Sequence, residues 1–401
     1  MLSKLLMLKC GRMSRRLIMI GGALTLLEGV LWYFLPIFFE SQLNNMLLVG
    51  MVISGYSLGS LLVSLPAGDL TDRVGRKFTF MFGLVGFIAS AFMLFFGGFI
   101  YSLIFMISFG VFATICSIPT DACMLDHSTK KNVPIVVALA DMLRNFGWGF
   151  GPLIAAAMMM YFEVPLFISF IILALIAISV FSAIGFPGKL RLRLSDIRKS
   201  EKILLRDGLY VGECKRLVKL GKPLLAILIF SFSFGFWEYA VWTFEPIWTN
   251  SMGAGLMLGA VILMLDSIPY IPFSFAAGVL TNKLGLKKMF VIGSAFTIIG
   301  QSIFMIDQSL LGLTLTLIVT PVGVAFLTIP MEVYIRRHVK RDLYGEVYGI
   351  DSMFYEIGGV MGPLAVGLVA VFWNTASIIY VTFSLFVLSI AALTFMYRMK
   401  I

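Results

Sequence analysis

Apolar runs, each about the length of a bilayer core and separated by short polar breaks, recur along the whole chain. A helix needs about 20 such residues to cross the hydrocarbon layer. Twelve runs meet that length, at 17–39, 46–67, 78–98, 100–123, 135–160, 164–186, 223–249, 254–277, 288–306, 309–332, 345–371 and 374–397. The pattern predicts an all-α membrane protein with twelve transmembrane helices. The longest polar stretch, 187–222, is rich in Lys, Arg and Leu and reads as a cytosolic linker with an amphipathic turn or two lying on the membrane surface. It divides the chain into a six-helix bundle over 1–186 and a second over 223–401. The opening "MLSKLLMLKCGRMSRRLIMI" has no small-residue cleavage site and runs on to full spanning length, so it reads as a first helix with a basic leader.

Composition agrees with this pattern and excludes a string of soluble domains. Of the 401 residues, 60% are hydrophobic and 13% charged, and the mean hydropathy is +0.98. The net charge of +10 would suit a nucleic-acid binder if it were gathered on one face. Instead 30 of the 31 Lys and Arg lie on alternate loops or at the chain ends, and the opposite loops "ESQLNN", "GGFIYS", "TNSMGAG" and "FWNTAS" have none. This is the positive-inside distribution, and it predicts cytosolic N and C termini in a multi-pass protein of the cell membrane. The remaining cation, Arg144, falls inside the fifth run. Cys10, Cys116, Cys123 and Cys214 show neither a disulfide framework nor metal-ligand spacing, and only His127 and His338 accompany them, so no metal or cofactor is expected.

The two halves repeat each other. "GDLTDRVGRK" at 68–77 answers "GVLTNKLGLKK" at 278–288 with an offset of 210. "IPTD" at 118–121 answers "IPME" at 329–332, His127 answers His338, and Gly151-Pro152 answers Gly362-Pro363, all with an offset of 211. A tandem duplication of six helices follows. Parallel six-helix repeats that bind substrate near the midplane between halves are the architecture of the major facilitator transporters.

"GDLTDRVGRK" resembles the signature loop between helices 2 and 3 of the major facilitator superfamily, G-x-L-A-D-R-x-G-R-K, with Thr71 in place of Ala. In the second copy Asn282 and Leu286 replace the Asp and an Arg. The resemblance extends over essentially the full chain. It implies a gating latch for the outward-open state, formed by Gly68, Asp72, Arg73, Gly75 and Arg76, with Asp121 or Asp126 as ion-pair partners at the end of helix 4. Physically, Gly68 and Gly75 would permit a tight turn and close approach, and Asp72 would face a helix N-terminus. "GWGFGPLIAA" in helix 5 resembles the family's antiporter motif, with Ala155 and Ala156 for the last two glycines, and its small residues suit close packing of helices 5 and 8. Helix 4 lacks the arginine of many drug-antiporter relatives, so the likeness to that proton-coupled branch is weak.

Charges inside the apolar runs carry the candidate chemistry. "EGVLWYFLP" at 28–36 and "EYAVWTFEP" at 238–246 place Glu28 and Glu238 at matching depths, each with a Trp four residues on (Trp32, Trp242) and a Pro eight residues on. At about 1.5 Å of rise per residue, Glu28, Arg144, Glu238, Asp266 and Glu356 all fall near mid-bilayer. Asp141 and Asp351 lie nearer the cytosol. An ion at that depth costs several kcal/mol without water or a partner, so these residues outline a polar cavity. Arg144 is available to Glu28, whereas Glu238, Asp266 and Glu356 have no basic residue in their helices. Desolvation and mutual repulsion favour the neutral acid, which is the chemistry of proton uptake and release. Acid and indole together also suit an organic cation.

The expected function is secondary active transport of a small organic solute by alternating access, coupled to protons, by a monomer in the lipid bilayer. Exporter of organic cations and importer of a sugar or organic acid both remain open, and so does a non-transporting receptor on the same fold. An ATP-driven pump is excluded by the missing P-loop. No nucleophile–base pair or metal cluster supports an enzyme.

Overall fold

The helices follow from solvation. In hydrocarbon every backbone N–H and C=O must be satisfied within its own segment, and a helix does this for an apolar run of any side-chain order. A computed structural model describes residues 11–128, 133–188, 222–339 and 344–373, and all regular structure among them is helical. In chain order these are α1 (Arg12–Leu43), α2 (Met46–Val74), α3 (Arg76–Ala91, continued by the 3₁₀ turn Phe92–Phe95), α4 (Gly98–Asp126), α5 (Val133–Tyr161) and α6 (Val164–Gly185). After the linker come α7 (Lys222–Ser251), α8 (Gly255–Ser267), α9 (Tyr270–Leu284), α10 (Leu286–Ile306), α11 (Leu310–His338) and α12 (Tyr344–Trp373).

Ten segments among the described residues are long and apolar enough to cross a membrane. The fifth predicted span is present as α5 but is not one of the ten, because its polar and small residues from Asp141 to Gly151 dilute the apolar run. The run expected at 254–277 is one span made of two helices, α8 and α9, interrupted at Ile268-Pro269 beside Asp266. The expected last span, 374–397, and most of the linker lie outside the described residues.

The described residues form two compact units. One holds those up to Phe34 and from Gly55 to Gly188; the other holds Leu35–Ser54 with those from Lys222 onward. In the second unit the α1–α2 corner packs on α12, where Ser54 donates to the Val360 carbonyl at 2.8 Å.

Each unit has the same core. The first is built on Leu17, Ile20, Phe80, Cys116, Met124 and Val136. The second uses Ile227, Phe230, Phe290, Leu327, Ile335 and Val347, the residues 210 or 211 positions later. The connecting turns repeat as well. Gly75 (φ 107°) joins α2 to α3, and Gly285 (φ 81°) joins α9 to α10. Both occupy the positive-φ region that side chains disfavour. Gly68 differs: it is helical, and none of the described residues lies within 4 Å of where a Cβ would stand, so neither a turn nor a close approach to them requires glycine there.

Candidate functional site

In the first unit the site is assembled by the crossing of α1 and α5. Glycines bring the two backbones together: a Cβ on Gly29 would lie 2.8 Å from the Gly147 carbonyl oxygen, and one on Gly151 would lie 2.6 Å from the Gly29 Cα. The small residues of "GWGFGP" thus meet α1 within this unit. Glu28 is half-buried beside this crossing, within electrostatic reach of Arg144. Arg144 makes its ion pairs elsewhere, with Asp121 of α4 and, at 3.9 Å, with Asp141 one turn back on α5. The guanidinium is therefore held by two carboxylates, with Glu28 as a third acid nearby. One turn beyond Glu28, Trp32 is 2% exposed. Its ring meets Tyr56 edge-on at 5.2 Å and Trp148 at 6.5 Å, and Tyr56 in turn meets Phe109 at 4.9 Å. Glu28 and Trp32, the α1 member of this aromatic group, occupy the same stretch of α1.

The second unit has the equivalent crossing of α7 and α12, with different chemistry. Tyr355 donates to Glu238 at 2.5 Å, and Tyr239 donates to Glu356 at 3.3 Å. The two bonds run in opposite directions between the helices, and the tyrosine rings stand 5.6 Å apart. Further along, Ser231 donates to Asp351. Trp242 donates its indole N–H to Asp266 of α8 at 3.1 Å, and Asp266 is 9% exposed. Trp242 thus links α7 to the acid of α8. No Lys, Arg or His occurs in 223–282, 289–335 or 344–397, so the membrane segments of this half hold acids and neutral donors only.

Of the expected latch residues, Arg76 pairs with Asp126 at 2.9 Å, while Asp121 pairs with Arg144. Gly75 makes the turn. The side chains of Asp72 and Arg73 lie outside the described residues.

Three groups escape sequence reasoning. Tyr239 and Tyr355 carry no charge and count as apolar in a hydropathy reading; the available signal is the inverted dipeptides "EY" at 238–239 and "YE" at 355–356. Glu245 draws no notice in the sequence because it precedes Pro246 near the expected end of its run. In the structure α7 continues to Ser251 and Glu245 is 1% exposed, with neither carboxylate oxygen hydrogen-bonded.

Comparison with known proteins locates this architecture. A family model described as Major Facilitator Superfamily matches residues 17–267 and 225–400. Two proteins of Bacillus subtilis (strain 168) are similar in sequence. The uncharacterized MFS-type transporter YqjV is 23% identical over 345 residues, covering 83% of this chain and 80% of its own. The putative niacin/nicotinamide transporter NiaP is 26% identical over 346 residues, covering 83% and 82%. Among solved structures, a point mutant of the nucleoside transporter NupG superposes with a TM-score of 0.77 at 14% identity, covering 97% of this chain and all of that one. A D-xylose-proton symporter superposes with a TM-score of 0.74 at 13% identity, covering 96% and 97%.

Proposed function

Because the chain belongs to the Major Facilitator Superfamily, and is thus a multi-pass membrane secondary transporter and not an enzyme, we propose that it couples a neutral or cationic organic solute to protons by alternating access. One observation carries the reading: the balance of charge among the described membrane residues. Arg144, the cation of the apolar runs, is engaged by Asp121 and Asp141. Glu238 and Asp266 accept from a phenol and an indole. An anionic solute would have to compete with carboxylates for Arg144, whereas a neutral or cationic one meets acids and aromatic rings. Glu28 with the half-buried Tyr56 and Trp148, which pack on Trp32, provides acid plus aromatic surface for the solute. Glu238 and Glu356 are bonded to hydroxyls that both donate and accept, partners that suit either the neutral acid or the carboxylate.

The sizes of the cargoes named for its relatives support a small solute: niacin or nicotinamide for NiaP, a nucleoside for NupG, D-xylose for the symporter. Proteoliposomes holding the purified chain test the reading with labelled nicotinamide, uridine, D-xylose and an organic cation. The expected result is counterflow of at least one probe, and its accumulation under an imposed pH gradient that a protonophore abolishes. In Glu238→Gln, counterflow persists and gradient-driven accumulation is lost. Exchange of organic anions alone would overturn the cargo class, and full pH coupling in Glu238→Gln would remove Glu238 from the proton path.

A further inference from the structure

We infer that Glu245 is a proton-binding site of the second unit, held between Trp242 and Pro246 on α7 and acting together with Asp266 of α8. The inference rests on the proton-coupled reading above and adds a group to it. Its basis is the state of the carboxyl: 1% exposed, with both oxygens buried and without a hydrogen-bond donor. A carboxylate ion in that condition has lost its water and gained nothing, a penalty that buried groups escape by pairing, by accepting hydrogen bonds or by taking up a proton. Pairing is closed by sequence, since no Lys, Arg or His lies in the membrane segments of this half. Among the described residues no donor reaches either oxygen. A proton remains.

The surroundings reinforce this. The charge that acts on Glu245 is that of Asp266, another acid. The ionisable groups on the elements around it are acids too: Glu238 two turns back on α7, and Asp351 and Glu356 on α12. Trp248 meets Phe304 of α10 at 5.1 Å, and the acid beyond that helix, Asp307, accepts from the Ser309 N–H. A metal ion is disfavoured, because no group of three or more His, Cys, Asp or Glu among the described residues is arranged to hold one.

Packing does not require an acid here. At the equivalent place in the first sequence repeat, one residue before Pro36, stands Leu35, 0% exposed. The second repeat has exchanged a buried leucine for a buried carboxyl at the same turn of the same repeated helix. The position also sits beside a break in the hydrogen-bond ladder of α7. Pro246 lacks the N–H that would bond the Trp242 carbonyl, and Thr249 instead donates to the carbonyls of Glu245 (2.9 Å) and Pro246 (3.2 Å). A bend at this proline would open the Trp242–Asp266 contact and wet Glu245, which then exchanges its proton.

The test is an infrared pH titration of the purified full-length chain in lipid nanodiscs, following the protonated-carboxyl band in H₂O and D₂O. Wild type is compared with Glu245→Gln and with Glu245→Leu, which copies the first repeat and keeps the comparison open if the glutamine variant does not fold. The expected result is loss of about one proton per chain from the titrating carboxyl signal in either variant, together with loss of pH-gradient-driven uptake in proteoliposomes. An unchanged band in both variants would overturn the inference. Removal of the wild-type band by sodium chloride at fixed pH would overturn it too, making Glu245 a sodium ligand. If wild-type uptake ignores the pH gradient while the band still depends on Glu245, the coupled-transport reading fails and the proton site stands.

Discussion

Removing one hydroxyl from the α7–α12 crossing should separate the hydrogen bond from the packing around it. Tyr355→Phe keeps the ring, which stands 5.6 Å from Tyr239 and 5.8 Å from Phe234, and deletes the donor to Glu238. A buried acceptor that loses its donor costs about 1–3 kcal/mol, whereas replacing both partners by apolar groups of similar shape is nearly neutral. Glu238→Leu alone deletes the carboxylate that the phenol donates to, at a similar cost. The double variant therefore should be less destabilised than the two single changes added together. A coupling of about 1–2 kcal/mol is expected, which is about 5–30-fold in the folded-to-unfolded ratio. Reversible unfolding in mixed detergent–SDS micelles measures all four corners of the cycle. The Tyr239–Glu356 bond, longer at 3.3 Å, should give a smaller coupling in the same assay. Additivity of the Tyr355 and Glu238 changes to within about 0.5 kcal/mol would refute the claim that this bond holds the two helices together.

Other positions give sharper or simpler outcomes. Arg144→Met leaves Asp121 and Asp141 facing each other without their cation; with these side chains 30–58% exposed, the loss is about 1 kcal/mol, and adding Asp121→Asn should recover part of it in a thermal unfolding assay. Gly75→Ala forces a side chain to φ 107° and should cost about 1–3 kcal/mol, while Gly68→Ala, with open space around it, should stay within about 0.5 kcal/mol of wild type. Gly151→Leu would drive a side chain into the Gly29 backbone, and size-exclusion chromatography should show little monodisperse protein. Glu245→Leu removes an unsatisfied buried carboxyl and should raise the unfolding temperature even as gradient-driven transport is lost.

Spans, repeats and acids are legible in the sequence because each rests on a local or periodic property. Apolar length marks the helices, a constant offset marks the duplication, and a charge deep in an apolar run marks itself, as Glu245 near the end of its run does not. What stays hidden depends on where side chains turn. Arg144 lies at a depth that suits Glu28, yet it turns to Asp121 on α4, and nothing in the α5 sequence states that choice. Tyrosines at 239 and 355 look apolar until the α7–α12 crossing puts each against the other helix's acid. The break beside Asp266 is masked by continuous hydropathy through Ile268-Pro269. Gly68 shows the reverse: a residue type typical of close approach, with none of the described residues within 4 Å of where a Cβ would stand.

The duplicated register turns these separate contacts into a comparison. Glu28 and Glu238 are equivalents, and the residue across the helix pair from each is Arg144 in one repeat and Tyr355 in the other, 211 positions apart. Trp32 meets Tyr56 through ring edges, while its counterpart Trp242 meets Asp266, 210 positions after Tyr56, through a hydrogen bond. Leu35 becomes Glu245 by the same offset. At each of these three positions the second repeat lacks a cation or gains an acid, while the apolar cores of the two repeats keep the same register. Ionisable groups introduced at fixed positions of a repeated scaffold, each costing desolvation energy, require a use that offsets it. Under the proposed function that use is a division of labour: Glu28 and the aromatic rings of the first repeat would meet the solute, and the acids of the second repeat would exchange the proton.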